Sequence, residues 1–303
     1  MLWTEKYRPS KLSQIAGQEH FVLDAEQWVL EKNMPNVLAY GMQGTGKTGA
    51  AIALAKEMLG EWFKDNFFEV NASDDRRLET VRTTIKQVAQ SGTIGEAPFR
   101  IMLLDELDGM TTDAQNALKR IMERYSSNIR FIITCNDKSR IIFPLQSRCA
   151  NYRFNALKSE VVLEVIKNIL DKENVEGFED KDLVRFIYDL DGDLRRAITE
   201  IQAAKASNFT LRKQVQDSLK DFDAILNLII NKKPNETLEK LHDMLYGGRS
   251  VKEICLALHN SVLSAEGLES KEKFKLLRII GEAEYRSATM TPKVIISWLV
   301  GQL

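Results

Sequence analysis

The residues with the clearest chemistry lie in one short stretch, Gly41-Met42-Gln43-Gly44-Thr45-Gly46-Lys47-Thr48. This is the pattern G-x-x-x-x-G-K-[ST], a phosphate-binding loop when a strand precedes it and a helix follows. Val37-Leu38-Ala39-Tyr40 supplies the strand, and Gly49-Ala50-Ala51-Ile52-Ala53-Leu54-Ala55-Lys56 is strongly helical. Gly41, Gly44 and Gly46 let successive backbone N–H groups of the loop, including that of Thr45, turn inward toward phosphate oxygens, and the helix N-terminus adds positive potential. Lys47 is placed to neutralise the β- and γ-phosphates of a triphosphate, and the Thr48 hydroxyl to ligate Mg²⁺.

A second set of groups follows about sixty residues downstream, in Ile101-Met102-Leu103-Leu104-Asp105-Glu106. Four apolar residues predict a buried strand whose end presents two acids. Asp105 suits Mg²⁺, which keeps several waters and takes one or two carboxylates. Glu106 is placed to orient and deprotonate an attacking water. The second acid argues for hydrolysis of the nucleotide, whereas a lone aspartate also fits a kinase. Asn136 ends a further apolar run, Phe131-Ile132-Ile133-Thr134-Cys135-Asn136, which puts an uncharged amide beside the same phosphates; a plain turn asparagine fits the pattern as well.

Two arginine sites stand out. Asp191-Gly192-Asp193-Leu194-Arg195-Arg196 opens a helix, and cations in a first turn oppose the macrodipole. Either the capping aspartates pair with them, or Arg195 faces a bound triphosphate. Arg148, in Pro144-Leu145-Gln146-Ser147-Arg148-Cys149, reads as a surface residue unless it serves as a catalytic arginine, which in phosphoryl transfer contributes roughly 10³–10⁵ in rate.

These groups must be carried by more than one core, since the chain has 303 residues. Up to about residue 155, short apolar runs at 37–40, 67–70, 101–104, 131–134 and 152–154 alternate with helical patterns, which predicts a parallel sheet covered on both faces. Beyond 158 the period is helical: Val161, Val162, Val165, Ile166 and Ile169, then Leu183, Phe186, Ile187 and Leu190. A polar stretch at 206–216 reads as a connector. The rest is helical again, with Leu226, Ile229 and Ile230, then Ile254, Leu258 and Val262, then Leu276, Leu277 and Ile280. The expected division is an α/β domain over 1–155, a small helical lid over 156–214 and an all-helical domain over 215–303.

Composition sets outer bounds. Apolar residues make up 44% and charged residues 28% of the chain, as in soluble globular proteins. No apolar run approaches the roughly 18 residues that span a bilayer, so no membrane association is expected. The opening Met1-Leu2-Trp3-Thr4-Glu5-Lys6 is charged almost at once and has no signal-peptide core. Cys135, Cys149 and Cys255 are widely spaced and read as free thiols in a reducing cytoplasm. A net charge of −1 says nothing for nucleic acid, so any such partner must be argued locally. Candidates are Arg76, Arg77, Arg82 and Lys86 on one helix and Lys119 and Arg120 on another. That second helix is opened by Thr112-Asp113-Ala114-Gln115, read as a capping box, with Ala114, Leu118, Ile121, Met122 and Tyr125 on its buried stripe.

The chain also carries, in order, Trp3-Thr4-Glu5-Lys6-Tyr7-Arg8-Pro9, Ile15-Ala16-Gly17-Gln18, the phosphate loop, Asn71-Ala72-Ser73-Asp74, Ala97-Pro98-Phe99, Asp105-Glu106, Ser126-Ser127-Asn128, Thr134-Cys135-Asn136, Ser147-Arg148-Cys149 and Gly192-Asp193-Leu194-Arg195-Arg196. This set resembles the small subunits of replication factor C, of archaeal or phage-like type, within the AAA+ ATPases. The likeness is dense over 2–200 and only architectural over the last 85 or so residues. It implies an AAA+ domain, a helical lid and a helical collar, with ATP and Mg²⁺ as the site's occupants. It also implies that Tyr7, Arg8, Pro9 and the stretch Ile15–Gln18 line an adenine pocket, that Asn136 and Arg195 are nucleotide sensors, and that Arg148 is a finger reaching a neighbouring subunit's ATP. The implied partners are a large subunit and other small subunits in a pentamer, a ring-shaped sliding clamp, and primer–template DNA, in a cytoplasmic replisome setting. The clamp is expected to meet Val88, Ala89, Gln90 and the loop 91–96, and Arg76 is a candidate switch that holds Glu106 off-line until DNA arrives. Met42-Gln43 and Leu107 depart from the family's usual residues, which points to tuned affinity. Two other readings fit the same loop: a different AAA+ DNA motor, such as a branch-migration helicase, and a catalytically silent scaffold subunit.

Overall fold

The structure is a computed structural model that describes residues 1–72, 83, 85–88, 90–175, 183–184, 186–187, 190, 192–206, 222, 224–265 and 267–303. Outside the described residues lie Ser73, Asp74, Arg76, Arg77, Leu78, Val81, Arg82, Ala89, Asp191 and the connector over 207–216. The chain divides into two compact units, Met1–Asn208 and Phe209–Leu303.

The first unit is built on five parallel strands: β1 (Val37–Tyr40), β2 (Phe67–Asn71), β3 (Arg100–Asp105), β4 (Ile129–Cys135) and β5 (Ala150–Arg153), in the order β2-β3-β4-β1-β5. The register sets Val37 beside Ile132 on one side and Ala150 on the other. Strand side chains alternate between faces, so one apolar run feeds two cores. Val37, Ala39, Ile101, Leu103 and Ile132 pack under α1 (Glu19–Glu31) and α2 (Lys47–Leu59), with Phe21, Ala51, Leu54 and Ala55. Their neighbours Leu38, Met102, Leu104, Phe131 and Ile133 face the opposite side and meet Leu118 and Met122 of α3 (Thr112–Arg124). The middle of each central strand is therefore apolar on both faces, as a doubly covered parallel sheet requires, with Arg100, Asp105, Arg130 and Thr134 the polar members of β3 and β4. Helix α2 is alanine-rich on nearly all sides because it lies against the sheet with helices around it.

The start of α3 differs from the expected capping box. Thr111 is the N-cap, its Oγ1 accepting from Ala114 N, and Thr112 is the first helical residue. Gln115 turns inward and is 1% exposed. Its amide donates to the Met110 and Arg140 carbonyls at 3.0 Å each and accepts from Ile142 N at 2.9 Å. A buried amide gains more from those partners than from the helix N-terminus, where a threonine one residue earlier already serves. Val88 also faces inward, 7% exposed against the second core, so it offers no surface to a partner.

Beyond the sheet, α4 (Ser159–Lys172) and α5 (Leu194–Ala206) complete the first unit. Val162, Ile166 and Ile169 are buried on α4, and Ala197, Ile198 and Ile201 on α5, in the helical period.

The second unit contains α6 (Pro234–Tyr246), α7 (Val251–Ser264), α8 (Ser270–Arg286) and α9 (Pro292–Gln302). Leu241, Ile254, Leu258, Val262, Ile280, Ile296 and Leu299 share its core. Ser250 and Glu253 form a reciprocal capping box on α7, and proline occupies the first turn of α6 and α9, where its missing N–H costs nothing. Ile230, expected in this core, is 44% exposed. Among the described residues no helix is long and apolar enough to cross a membrane.

Candidate active site

The cleft at the carboxyl ends of β1 and β3 gathers residues from four regions of the first unit: the N-terminal arm, the loop 41–48, the ends of β3 and β4, and α4–α5. A crevice at strand carboxyl ends is where open α/β sheets bind ligands.

The loop takes its shape from glycine. Gly44 and Gly46 have φ of +78° and +93°, a region other residues avoid. A β-carbon on Gly41 would lie 2.1 Å from the Phe154 carbonyl oxygen, and one on Gly44 would lie 1.9 Å from Asp193 Oδ1. The Lys47 ammonium is drawn back into the loop, donating to the Gly41 and Met42 carbonyls at 2.8 and 2.7 Å and to Asn136 Oδ1 at 3.0 Å. Burial holds it below the usual lysine range, opposed by Cys135, Asp105, Asp108 and Glu106. Thr45 is 2% exposed, its hydroxyl donating to the Met42 carbonyl at 2.9 Å.

The Thr48 hydroxyl donates to Asp105 Oδ1 at 3.0 Å. The Thr134 hydroxyl donates to the same carboxylate and accepts from Glu106 N at 3.1 Å. Glu106 itself adopts a left-handed φ of +55°, which turns the chain sharply after the strand. The Thr48 hydroxyl and the Asp105 carboxylate are hard oxygen donors already in contact, a set that fits a magnesium ion held partly through water.

Tyr7, Arg8, Pro9, Ile15, Gly44, Thr45, Gly46, Lys47, Thr48, Asp105, Glu106, Asn136 and Arg195 all line the cleft. Arg196 pairs with Glu200 at 2.7 Å and its N–H donates to Asp193 Oδ1. Among the described residues the Arg195 guanidinium has no ion-pair partner, which leaves it for the cleft. Three candidates lie elsewhere. Gly41 and Gln18 support the loop from behind, the 1%-exposed Gln18 donating to the Asn155 carbonyl at 2.9 Å and that of Thr45 at 3.4 Å. Arg148 is away from the cleft, paired with Glu123 and donating to the Pro144 carbonyl at 2.7 Å.

Several contributors were not anticipated. Thr134 stands two residues before Asn136 on one strand end, so the strand period alone aims both the same way. Asp108 accepts from Asn136 N and Asp137 N at 3.2 and 3.3 Å, fixing the loop that carries Asn136. Leu157, Val165, Leu194 and Ile198 form an apolar wall whose members look like ordinary core residues in sequence.

Comparison with known proteins shows the family to which the chain belongs. The profile of the ATPase family associated with various cellular activities (AAA) matches residues 37–157, and that of the replication factor C C-terminal domain matches 219–291. The chain is 39% identical to the replication factor C small subunit of Methanococcus maripaludis strain C7, over 94% of this chain and 92% of that one. It is 41% identical to that of Methanothermobacter thermautotrophicus, over 94% and 91%. Among solved structures, the Thermotoga maritima RuvB Holliday junction branch migration motor superposes with a TM-score of 0.57 at 17% identity, over 74% of this chain and 79% of that one, a likeness of fold alone. With near full-length identity to those relatives, the chain belongs to the replication factor C small subunit family, and it is an ATPase whose first unit carries the AAA domain.

Proposed function

We propose that this chain is the ATP-hydrolysing small subunit of a sliding-clamp loader, working at subunit boundaries in a pentamer with a large subunit on primer–template DNA. The observation that supports this reading is the Thr48–Asp105 contact beside Lys47 and Glu106 in one cleft, an arrangement suited to a phosphate cradle, a metal-ligand pair and a base.

In this reading the triphosphate lies along the loop N–H groups at the start of α2, and Lys47 exchanges its carbonyl partners for phosphate oxygens. Thr48 and Asp105 would hold a magnesium ion, which would supply charge neutralisation on those oxygens. Glu106 takes the proton of the attacking water, and Asn136 orients that water or the terminal phosphate. Arg195 reports the phosphate to the lid, while Tyr7, Arg8, Pro9 and Ile15 meet the base with the wall of Leu157, Val165 and Ile198. Arg148 serves a neighbouring protomer's nucleotide, in keeping with its position off the cleft of its own chain. Arg120 and Lys86 are exposed, and Lys119 is half-buried, so charge on these two helices supports a backbone-tracking DNA contact without base readout.

The test is ATP turnover by the reconstituted complex with and without primed DNA and clamp. Full rate should need both, the DNA effect should fall steeply with salt through counterion release, and a Glu106→Gln subunit should bind without turnover. A complete complex with no affinity for adenine nucleotides sinks the reading.

A further inference from the structure

Glu173, just past the end of α4, receives three donors from separate parts of the first unit. Lys6 Nζ donates at 2.6 Å, the Tyr7 hydroxyl at 2.8 Å and Lys205 Nζ at 3.2 Å. Lys6 and Tyr7 belong to the N-terminal arm, while Lys205 lies near the end of α5, the helix that begins with Leu194 and Arg195. The node is reinforced around it. Trp3 is 4% exposed, its N–H donates to Gln202 Oε1 on α5 at 2.8 Å, and Lys205 lies 5.3 Å from its ring centroid. Lys172 approaches the Tyr7 ring from the other side at 5.9 Å. The arm's hydrogen bond to the loop-bearing helix α2 comes later, where Leu12 N donates to Glu57 Oε1 at 2.7 Å. Residues 3–7 are thus fastened to α4 and α5, and Tyr7 reaches from that fastening into the cleft.

We infer that Glu173 is a positioning residue for base recognition: it joins the Tyr7 end of the cleft to the helix of Arg195, so that base and phosphate are read by one connected body. The inference rests on the cleft being a nucleotide site. An exposed ion pair alone contributes little, but this carboxylate is 12% exposed and also holds a neutral phenol, whose placement fixes the ring. Three donors converge on the carboxylate, and Lys6 first, then Tyr7, hold it well below the usual glutamate range, at about 2. The node therefore stays charged near neutral pH and acts as a fixed tie.

The test compares three ligands on the full chain by equilibrium titration: ATP, GTP and inorganic tripolyphosphate. Tripolyphosphate probes the phosphate-reading groups without the base. Glu173→Gln keeps the shape and removes the charge, and Tyr7→Phe keeps the ring and removes one donor. Both variants should weaken ATP by about three- to tenfold, the net worth of one ordinary hydrogen bond. They should also narrow the preference for ATP over GTP, leave tripolyphosphate unchanged, and give a double variant no worse than either single one. An unchanged ATP/GTP ratio in both variants overturns the inference, as does an equal loss for all three ligands, which marks a general loosening. If the unsubstituted chain binds ATP no better than Lys47→Ala does, the nucleotide site itself is at fault and the inference falls with it.

Discussion

The Thr48 hydroxyl and the Asp105 carboxylate meet at 3.0 Å, tying the first turn of α2 to the end of β3. Thr134 reaches the same carboxylate from β4 and takes the Glu106 N–H at 3.1 Å. Three elements therefore meet at the Asp105 carboxylate and the Glu106 backbone. Glu106→Gln preserves this frame and removes only the proton acceptor. It should leave ATP affinity within about twofold and cut turnover by roughly 10²–10⁴, the usual share of a general base. Single-turnover hydrolysis beside nucleotide titration checks it, and a parallel loss of binding speaks against the assigned role.

Thr134→Val tests the frame itself. It removes the acceptor of the Glu106 N–H and a donor to Asp105, and Thr134 is 1% exposed. Stranding buried polar groups costs about 1–3 kcal/mol. The expected result is lower stability in denaturant unfolding together with lower kcat, since Glu106 loses its anchor. Unchanged kcat at reduced stability would show that the anchor is structural only.

The parts of this site visible in sequence are those in which chemistry is local. Gly41 to Thr48 and Asp105-Glu106 are contiguous, and the two-residue strand period brings them to one end of a sheet. What stayed hidden depends on partners far apart in the chain. Tyr7 meets Glu173 across 166 residues, and Gly44 leaves room for Asp193, with no local pattern to announce either. Thr111 and Thr112 are equally good caps by type; the choice fell to the first because Gln115, the presumed third member of the box, is drawn into the core by Met110, Arg140 and Ile142. Strand order, β2-β3-β4-β1-β5, also follows from packing that composition does not encode.

Gly192 permits the close approach of the turn before α5 to the segment that follows β5. Its φ is +78°, and a β-carbon there would lie 2.4 Å from the Leu157 carbonyl oxygen and 2.6 Å from Leu157 N. Both obstacles are backbone, so neither rotates away. Gly192→Ala should destabilise by about 1–3 kcal/mol, from strain plus steric displacement. Leu157 and Arg195 both line the cleft, so ATP affinity should drop as well. Thermal unfolding and titration measure the two effects, and a fully stable, fully binding variant rules out this packing.

Acid should act through Glu173. Its folded-state value of about 2, set first by the Lys6 hydrogen bond and then by Tyr7, lies below the ordinary glutamate value near 4.5. A depressed carboxylate contributes stability that is present above the unfolded value and is lost as pH falls from there toward the folded one. The melting temperature should therefore decline between about pH 4.5 and 2 more steeply in the native chain than in Glu173→Gln. Identical acid limbs in the two proteins would remove the basis for a charged tie at this position.

Arg148 should separate binding from turnover. In its own chain it stands off the cleft, held by Glu123 and the Pro144 carbonyl. Its side chain is 34% exposed, and an ion pair so open to solvent is worth about 0–1 kcal/mol. Glu123 can therefore be exchanged for a phosphate at little cost, while a developing charge on a transferring phosphoryl group repays an arginine far more. Arg148→Ala should leave the isolated chain's ATP affinity unchanged and lower turnover of the assembled complex by roughly 10³–10⁵. Mixing makes the point sharper: complexes holding both Arg148→Ala and Glu106→Gln subunits should keep activity only at boundaries where an intact arginine faces an intact base. Activity that tracks the fraction of intact chains, irrespective of their neighbours, would place Arg148 in the service of its own nucleotide and end the trans assignment.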